Sequence, residues 1–244
     1  MENVFNIIIF QIDIFFSHLR LLDSKTRKST LNPFSYNPTM NIKNKPATFF
    51  ALLIIFLMAF ILYWSTTKPI DVVIQAGHEG RTSGNTGAVS KLYSEVKWNI
   101  LVADEVAKKL KSWDIDVKRV PAKVRFTRAK IAVSIHFDAA KIPCHSGASI
   151  GYPNKNSYTF AQAWKKLYKA HFPYHWHEDN FTQNLKNYYA YKWIHADKFL
   201  VLELGELTCE KQTKWLKPRL KKVAHLIAYA IATQLGRTVK KPQF

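Results

Sequence analysis

The polarity of this chain changes character along its length. Thr48 to Trp64 reads TFFALLIIFLMAFILYW, seventeen residues without a charge. As a helix that run is ~26 Å long at about 1.5 Å per residue, close to the ~30 Å hydrocarbon layer of a bilayer. Beyond residue 70, short apolar runs alternate with amphipathic stretches, which predicts strands alternating with helices. Residues 72–74, 115–120, 130–137 and 198–204 read as strands, and residues 147–152 as a further short one. Trp98, Leu101, Val102, Val106, Leu110 and Trp113 recur at helical spacing behind Ser94, an N-cap residue type. Phe160, Trp164, Leu167 and Tyr168 mark a second helix. A last helix carries Leu220, Val223, Ala224, Ile227, Ile231 and Leu235, with Pro218 near its start and Gly236 after its end. The predicted fold class is α/β, a single mostly parallel sheet flanked by helices and preceded by one N-terminal transmembrane helix.

Residues 4–16 are apolar but broken by Asn6, Gln11 and Asp13, too short to span a bilayer, and residues 17–38 are polar and turn-rich. The expected organisation is a cytoplasmic tail over 1–47, a membrane anchor over 48–64, a linker over 65–69, a folded domain over 70–236 and a basic tail over 237–244. Lys43 and Lys45 precede the anchor and only Lys68 follows it, so the positive-inside bias places the tail in the cytoplasm and the folded domain on the outer, periplasmic side of the inner membrane. No small-residue cleavage signal follows the apolar run, which favours a retained signal anchor. Met40 and the NIKNKP that follows it form a complete signal-anchor beginning, and translation is expected to start there; a peptide from residues 1–39 in the native protein, detected by mass spectrometry, would refute this.

The formal net charge is +19. Residues 1–69 carry seven basic and three acidic side chains of totals of 36 and 17, which leaves 29 and 14 for residues 70–244, a balance of +15. The excess therefore belongs to the folded part. It favours polyanions or anionic surfaces such as a membrane face or an acidic wall polymer, while no nucleic-acid reading motif accompanies it. Cys144 and Cys209 make either one disulfide or two free thiols.

Four side chains stand out chemically. His78 follows a buried strand between Gly77 and Gly80, which are expected to let the backbone turn around it, and is either a ligand or a hydrogen-bonded loop histidine. Glu95 lies in the first turn of a helix, where a carboxylate also complements the helix dipole. His136 ends another strand, and in a parallel sheet His78 and His136 arrive at one rim. Glu203 interrupts an apolar strand, a costly placement for a carboxylate without a partner. His171, His175 and His177 crowd an aromatic, proline-broken segment that is expected to flank a cleft rather than bind metal. Glu206 is expected to face solvent.

The motifs AGHEG at 76–80, SE at 94–95, SIHFDA at 134–139 and LVLELG at 200–205 occur in an order that resembles the zinc-dependent N-acetylmuramoyl-L-alanine amidases of cell-wall hydrolysis. The resemblance spans nearly all of residues 70–236. It implies a Zn2+ cofactor held by His78, Glu95 and His136, with Glu203 as the catalytic residue. It also implies peptidoglycan as substrate, cut between the lactyl group of N-acetylmuramic acid and L-alanine. Two departures accompany it: the stretch PAKVRFTRAK between the second and third strands is short, and ELTCE follows where an aromatic residue is usual. A catalytically silent peptidoglycan-binding or regulatory homologue and another zinc peptidase on the same scaffold remain open, and a protein activator is unidentified.

Overall fold

The structure, a computed structural model, describes residues 50, 52–60 and 69–244. The chain divides into two units, residues 1–64 and 65–244. In the first, residues 52–60 are helical with exposed apolar side chains. No helix among the described residues is long and apolar enough to cross a membrane. The remainder of the expected 48–64 anchor, the expected tail over 1–47 and most of the expected linker lie outside the described residues.

The second unit is an α/β layer structure. Its strands are β1 (Ile70–Ala76), β2 (Val117–Val120), β3 (Thr127–Asp138), β4 (Ala148–Gly151) and β5 (Ile194–Glu206). They form one sheet in the order β2-β1-β3-β5-β4, parallel throughout except for β4, which runs antiparallel to β5. The helices are α1 (Glu95–Lys111), α2 (Lys155–Lys169), α3 (Gln183–Lys186), α4 (Glu210–Leu216) and α5 (Leu220–Gln234). The mostly parallel sheet with flanking helices is the architecture the alternating pattern implies.

The two faces of the sheet are covered differently. Val72, Ile74, Ile131, Val133, Ile135, Leu200 and Leu202 pack against Trp98, Val102 and Leu110 of α1, Trp164 of α2 and Ile227 of α5, all buried. Full burial of each such aliphatic side chain stabilises by roughly 1.5–3 kcal/mol. On the other face Val73, Ala132, Phe199 and Val201 are covered by Leu185 and Ala190, with Tyr188, Tyr189 and Tyr191 packed alongside. Among the described residues no long helix lies there. A strap, residues 182–193, made of short α3 and a 3-10 turn over Tyr189–Lys192, takes its place.

The outer edge of β4 is occupied by backbone. Ala148 N–H donates to the His175 carbonyl at 3.0 Å, His177 N–H to the Ala148 carbonyl at 3.0 Å, and Asn180 N–H to the Ile150 carbonyl at 2.8 Å. Gly147 permits this approach, because a side chain there would strike the backbone of His175, and Gly151 likewise makes room for Leu185 of the strap.

Several boundaries differ from the sequence expectation. Ile115 is buried but precedes β2, since its N–H still bonds the Leu110 carbonyl of α1 at 3.3 Å and the chain turns through Asp114 at φ 53°. Ser94 occupies the N-cap position without a side-chain cap hydrogen bond, and Leu101 of α1 is exposed rather than in the core. Glu206 is fully buried instead of solvent-facing. The pairing register of β3 and β5 shifts after His136, and Gly205 sits at φ 142°, so that Glu206 comes opposite Asp138. Its carboxylate accepts from Cys144 N–H at 2.8 Å, Ser146 N–H at 2.7 Å and the Thr208 hydroxyl. Cys144 and Cys209 are joined in a disulfide across the same loop.

Candidate metal centre

From β1 the chain passes through α1 to β2 on one side, then returns to β3 on the other. The carboxyl ends of β1 and β3 therefore flank the crevice where strand order reverses, the usual ligand site of open parallel sheets. His78 leaves β1 and His136 nearly ends β3. Glu95, the first residue of α1, enters from the end of the glycine-rich loop.

His78, Glu95 and His136 are all buried, and one ligand atom of each lies within 4.8 Å of the others. This is the metal-ligating group found among the described residues. Glu95 Oε1 stands 3.3 Å from His78 Nε2 and 3.0 Å from His136 Nδ1, while its Oε2 accepts from Ala88 N–H at 2.8 Å. His78 Nδ1 is 2.9 Å from the Asn85 carbonyl, which only accepts, so Nδ1 carries the proton and the Nε2 lone pair faces the cluster. Asn99 Nδ2 donates to the Gly77 carbonyl at 2.9 Å and to Glu95 Oε1 at 3.3 Å, tying helix to loop.

The backbone here is specialised, but not as expected from the two glycines alone. His78 itself adopts the left-handed conformation, φ 61°, a strained position for a residue with a side chain. Gly80 follows suit at φ 76°. Gly77 matters for space: a methyl group on it would occupy the site of the His136 ring.

In the metal-free protein burial raises the Glu95 carboxyl, but the two imidazoles beside it, His136 first and then His78, outweigh burial and hold the group well below the ordinary carboxylate range. Burial depresses the His136 imidazole beyond what Glu95 restores. At His78 burial is again the largest influence, yet Glu95 wins and the imidazole is raised. A fixed carboxylate thus faces two imidazoles, of which His136 is held neutral.

Glu203 is the register partner of His136 on the neighbouring strand and lines the same cleft, a cavity of about 750 Å3 that also meets Arg81, Asp138 and Tyr189. Its Oε2 is shut from solvent and has no hydrogen-bond partner. Burial, then the charges of Glu95 and Asp138, push its carboxyl well above the ordinary range. Two imidazole nitrogens and one carboxylate, beside an unsatisfied buried carboxylate oxygen, fit a hydrolytic zinc with an open fourth position.

The other histidines stand apart. His175 Nε2 lies 3.2 Å from His177 Nδ1, His177 Nε2 lies 2.9 Å from Ser146 Oγ, and His171 stacks on Phe244 at 4.4 Å. Sequence reasoning missed Gln75, Ser134 and Tyr188, which form a buried polar cluster under His136. The signal was present: Gln75 and Ser134 interrupt two apolar strands, and they are register partners.

The family model described as N-acetylmuramoyl-L-alanine amidase matches residues 72–233. The chain belongs to the N-acetylmuramoyl-L-alanine amidase family. Its fold is similar to that of the catalytic domain of such an amidase from Bacillus (Paenibacillus) polymyxa var. colistinus, with 22% identity and a TM-score of 0.54 over 69% of this chain and 99% of that one. An amidase of Nostoc punctiforme matches with 19% identity and a TM-score of 0.53 over 70% and 99%. An amidase from Clostridium difficile 630 matches with 19% identity and a TM-score of 0.54 over 71% and 100%. No curated protein matches the chain. In this family member residues 121–126 join β2 to β3 without a helix, and the strap supplies Leu185, Tyr188 and Tyr189 to the cleft wall.

Proposed function

We propose that this amidase is a membrane-anchored zinc hydrolase of peptidoglycan, cutting the amide between the N-acetylmuramic acid lactyl group and L-alanine. The observation that carries the reading is the convergence of His78, Glu95 and His136 within 4.8 Å, beside Glu203, at the switch point of the sheet. His78 Nε2, Glu95 Oε1 and His136 Nδ1 are the atoms that would hold zinc, which when bound supplies Lewis acidity and a more acidic water. Glu203, register partner of His136 with a carboxylate oxygen that has no hydrogen-bond partner, is placed to accept a proton beside that site. As water adds to the lactyl carbonyl, Glu203 takes its proton. It then passes that proton to the alanine nitrogen as the C–N bond breaks, leaving a lactyl carboxylic acid and a free amine, between which the second water proton is then transferred through solvent to give carboxylate and ammonium.

The apolar run over residues 48–64, helical where it is described, supports an anchor in the cytoplasmic membrane with the catalytic domain outside. The Cys144–Cys209 disulfide is in keeping with an oxidising, exported setting. The balance of +15 in residues 70–244 suits an anionic wall.

The full chain, purified in detergent, is incubated with peptidoglycan with and without chelator, and the fragments are identified by mass. Free stem peptides beginning with L-alanine, lost on chelation, are expected. Intact muropeptides despite added zinc would overturn the reading in favour of a silent peptidoglycan-binding homologue, and cleavage within the stem would indicate a peptidase. Membrane anchoring is tested separately: a chain released from membranes by alkaline carbonate is not anchored by residues 48–64.

A further inference from the structure

We infer that Tyr188 is a positioning residue for the metal site: its hydroxyl accepts the Nε2–H of His136 and so reserves Nδ1 as the ligand nitrogen. This rests on the zinc reading above.

The Tyr188 hydroxyl lies 2.9 Å from His136 Nε2, 2.9 Å from Gln75 Oε1 and 2.9 Å from Ser134 Oγ. Ser134 Oγ also donates to Gln75 Oε1 at 2.8 Å. The direction of these bonds follows from the Gln75 amide. Its Nε2 faces the carbonyls of Ala122 at 3.2 Å and Pro121 at 3.3 Å, which only accept, so the amide nitrogen and oxygen are not interchangeable. Gln75 Oε1, Ser134 Oγ and Tyr188 Oη then form a triangle of three oxygens with two hydroxyl protons to share. Both protons are needed inside it. Sending the Tyr188 proton to His136 would leave oxygens shielded from water facing one another with a single proton among them, a costly arrangement for polar groups without a donor. With its proton committed, Tyr188 presents a lone pair to His136 Nε2, which therefore carries hydrogen. The remaining nitrogen, Nδ1, then turns its lone pair toward Glu95 Oε1 at 3.0 Å inside the ligand cluster, an opposition of two acceptors that a bound cation would relieve.

Gln75 and Ser134 are fully buried, and the Tyr188 ring is fixed against Tyr189 at 4.7 Å and Tyr191 at 5.7 Å between centroids. The orientation of His136 is thereby set from the strap, which shares no strand or helix with the ligands. Outer partners of metal-bound histidine commonly contribute 10–100-fold to metal affinity.

The test compares zinc dissociation constants of the full chain and its Tyr188→Phe and Ser134→Ala variants by competition with a chromophoric chelator. Tyr188→Phe keeps the ring and its packing but loses the hydroxyl, and its dissociation constant is expected to rise about 10–100-fold. Ser134→Ala leaves the bond from Tyr188 to Gln75 in place and is expected to change affinity far less. Unchanged affinity in Tyr188→Phe, or equal weakening in both variants, overturns the inference. If Tyr188→Phe does not fold, nitrogen-resolved NMR of the zinc-loaded parent decides: a slowly exchanging His136 Nε2–H supports the inference, and its absence overturns it. A parent chain that binds no zinc sinks the zinc reading itself and this inference with it, a result distinct from any difference between variants.

Discussion

His136 and Glu203 are register partners on adjacent parallel strands, so their side chains leave the same face of the sheet side by side. One belongs to the cluster around Glu95 and the other has a carboxylate oxygen with no partner at all. In the proposed reading this difference in contacts gives the two neighbours different roles, His136 as a ligand and Glu203 as the base.

Glu203→Gln is expected to lower kcat by about 10^2–10^4-fold while zinc stays bound, since only the proton acceptor is lost. His136→Ala is expected to lose zinc. Metal content by atomic absorption alongside turnover checks both, and equal zinc loss in the two variants would assign Glu203 to the ligand set.

Gly77→Ala is expected to abolish zinc binding while leaving the core folded, because the added methyl displaces the His136 ring and not the buried strands around it. Circular dichroism and chelator competition together read this out; a variant that retains zinc at parental affinity contradicts the steric account.

In the metal-free protein, Glu203 has a raised carboxyl through burial first and then the charges of Glu95 and Asp138. Between its ordinary value of 4.5 and its raised folded value, the folded state binds more protons than the unfolded one, so stability falls as pH rises through that window. Glu203→Gln removes the effect. Urea unfolding in chelator is expected to show the variant more stable than the parent by about 1–3 kcal/mol near neutral pH, with the gap closing as pH falls below the ordinary carboxylate value. A gap that widens on acidification would be inconsistent with this sign.

Cys144 and Cys209 are separated by 65 residues, and closing such a loop stabilises a fold by about 2–4 kcal/mol. Replacing both by serine is expected to lower the melting temperature by roughly 5–15 °C. Calorimetry measures the shift, and the native chain should resist thiol alkylation until it is reduced.

Most of the sheet was legible in the sequence because the middles of β1, β3 and β5 are buried on both faces and read as largely apolar runs. His78 and His136 were legible for the same reason, each standing where such a run stops. Glu206 was not, because its burial depends on a local shift in strand pairing at Gly205, which no periodicity records. Tyr188 was hidden too. Its partners Gln75 and Ser134 lie 113 and 54 residues away, and the strap that carries it has neither helical nor alternating spacing over a useful length. The disulfide was left open by the residue types and settled by the fold, which brings residue 144 of one loop against residue 209 of another.

The backbone bonds that close the outer edge of β4 bear on how the molecule behaves in a crowd. A sheet edge with free N–H and C=O groups recruits extended segments of other chains. Here segment 175–180 already fills that edge, and the opposite edge is β2, only four residues long and bearing Lys118 and Arg119. Intermolecular strand pairing is thus blocked at one margin by the chain itself and opposed at the other by brevity, which keeps a strongly cationic domain from templating its own aggregation.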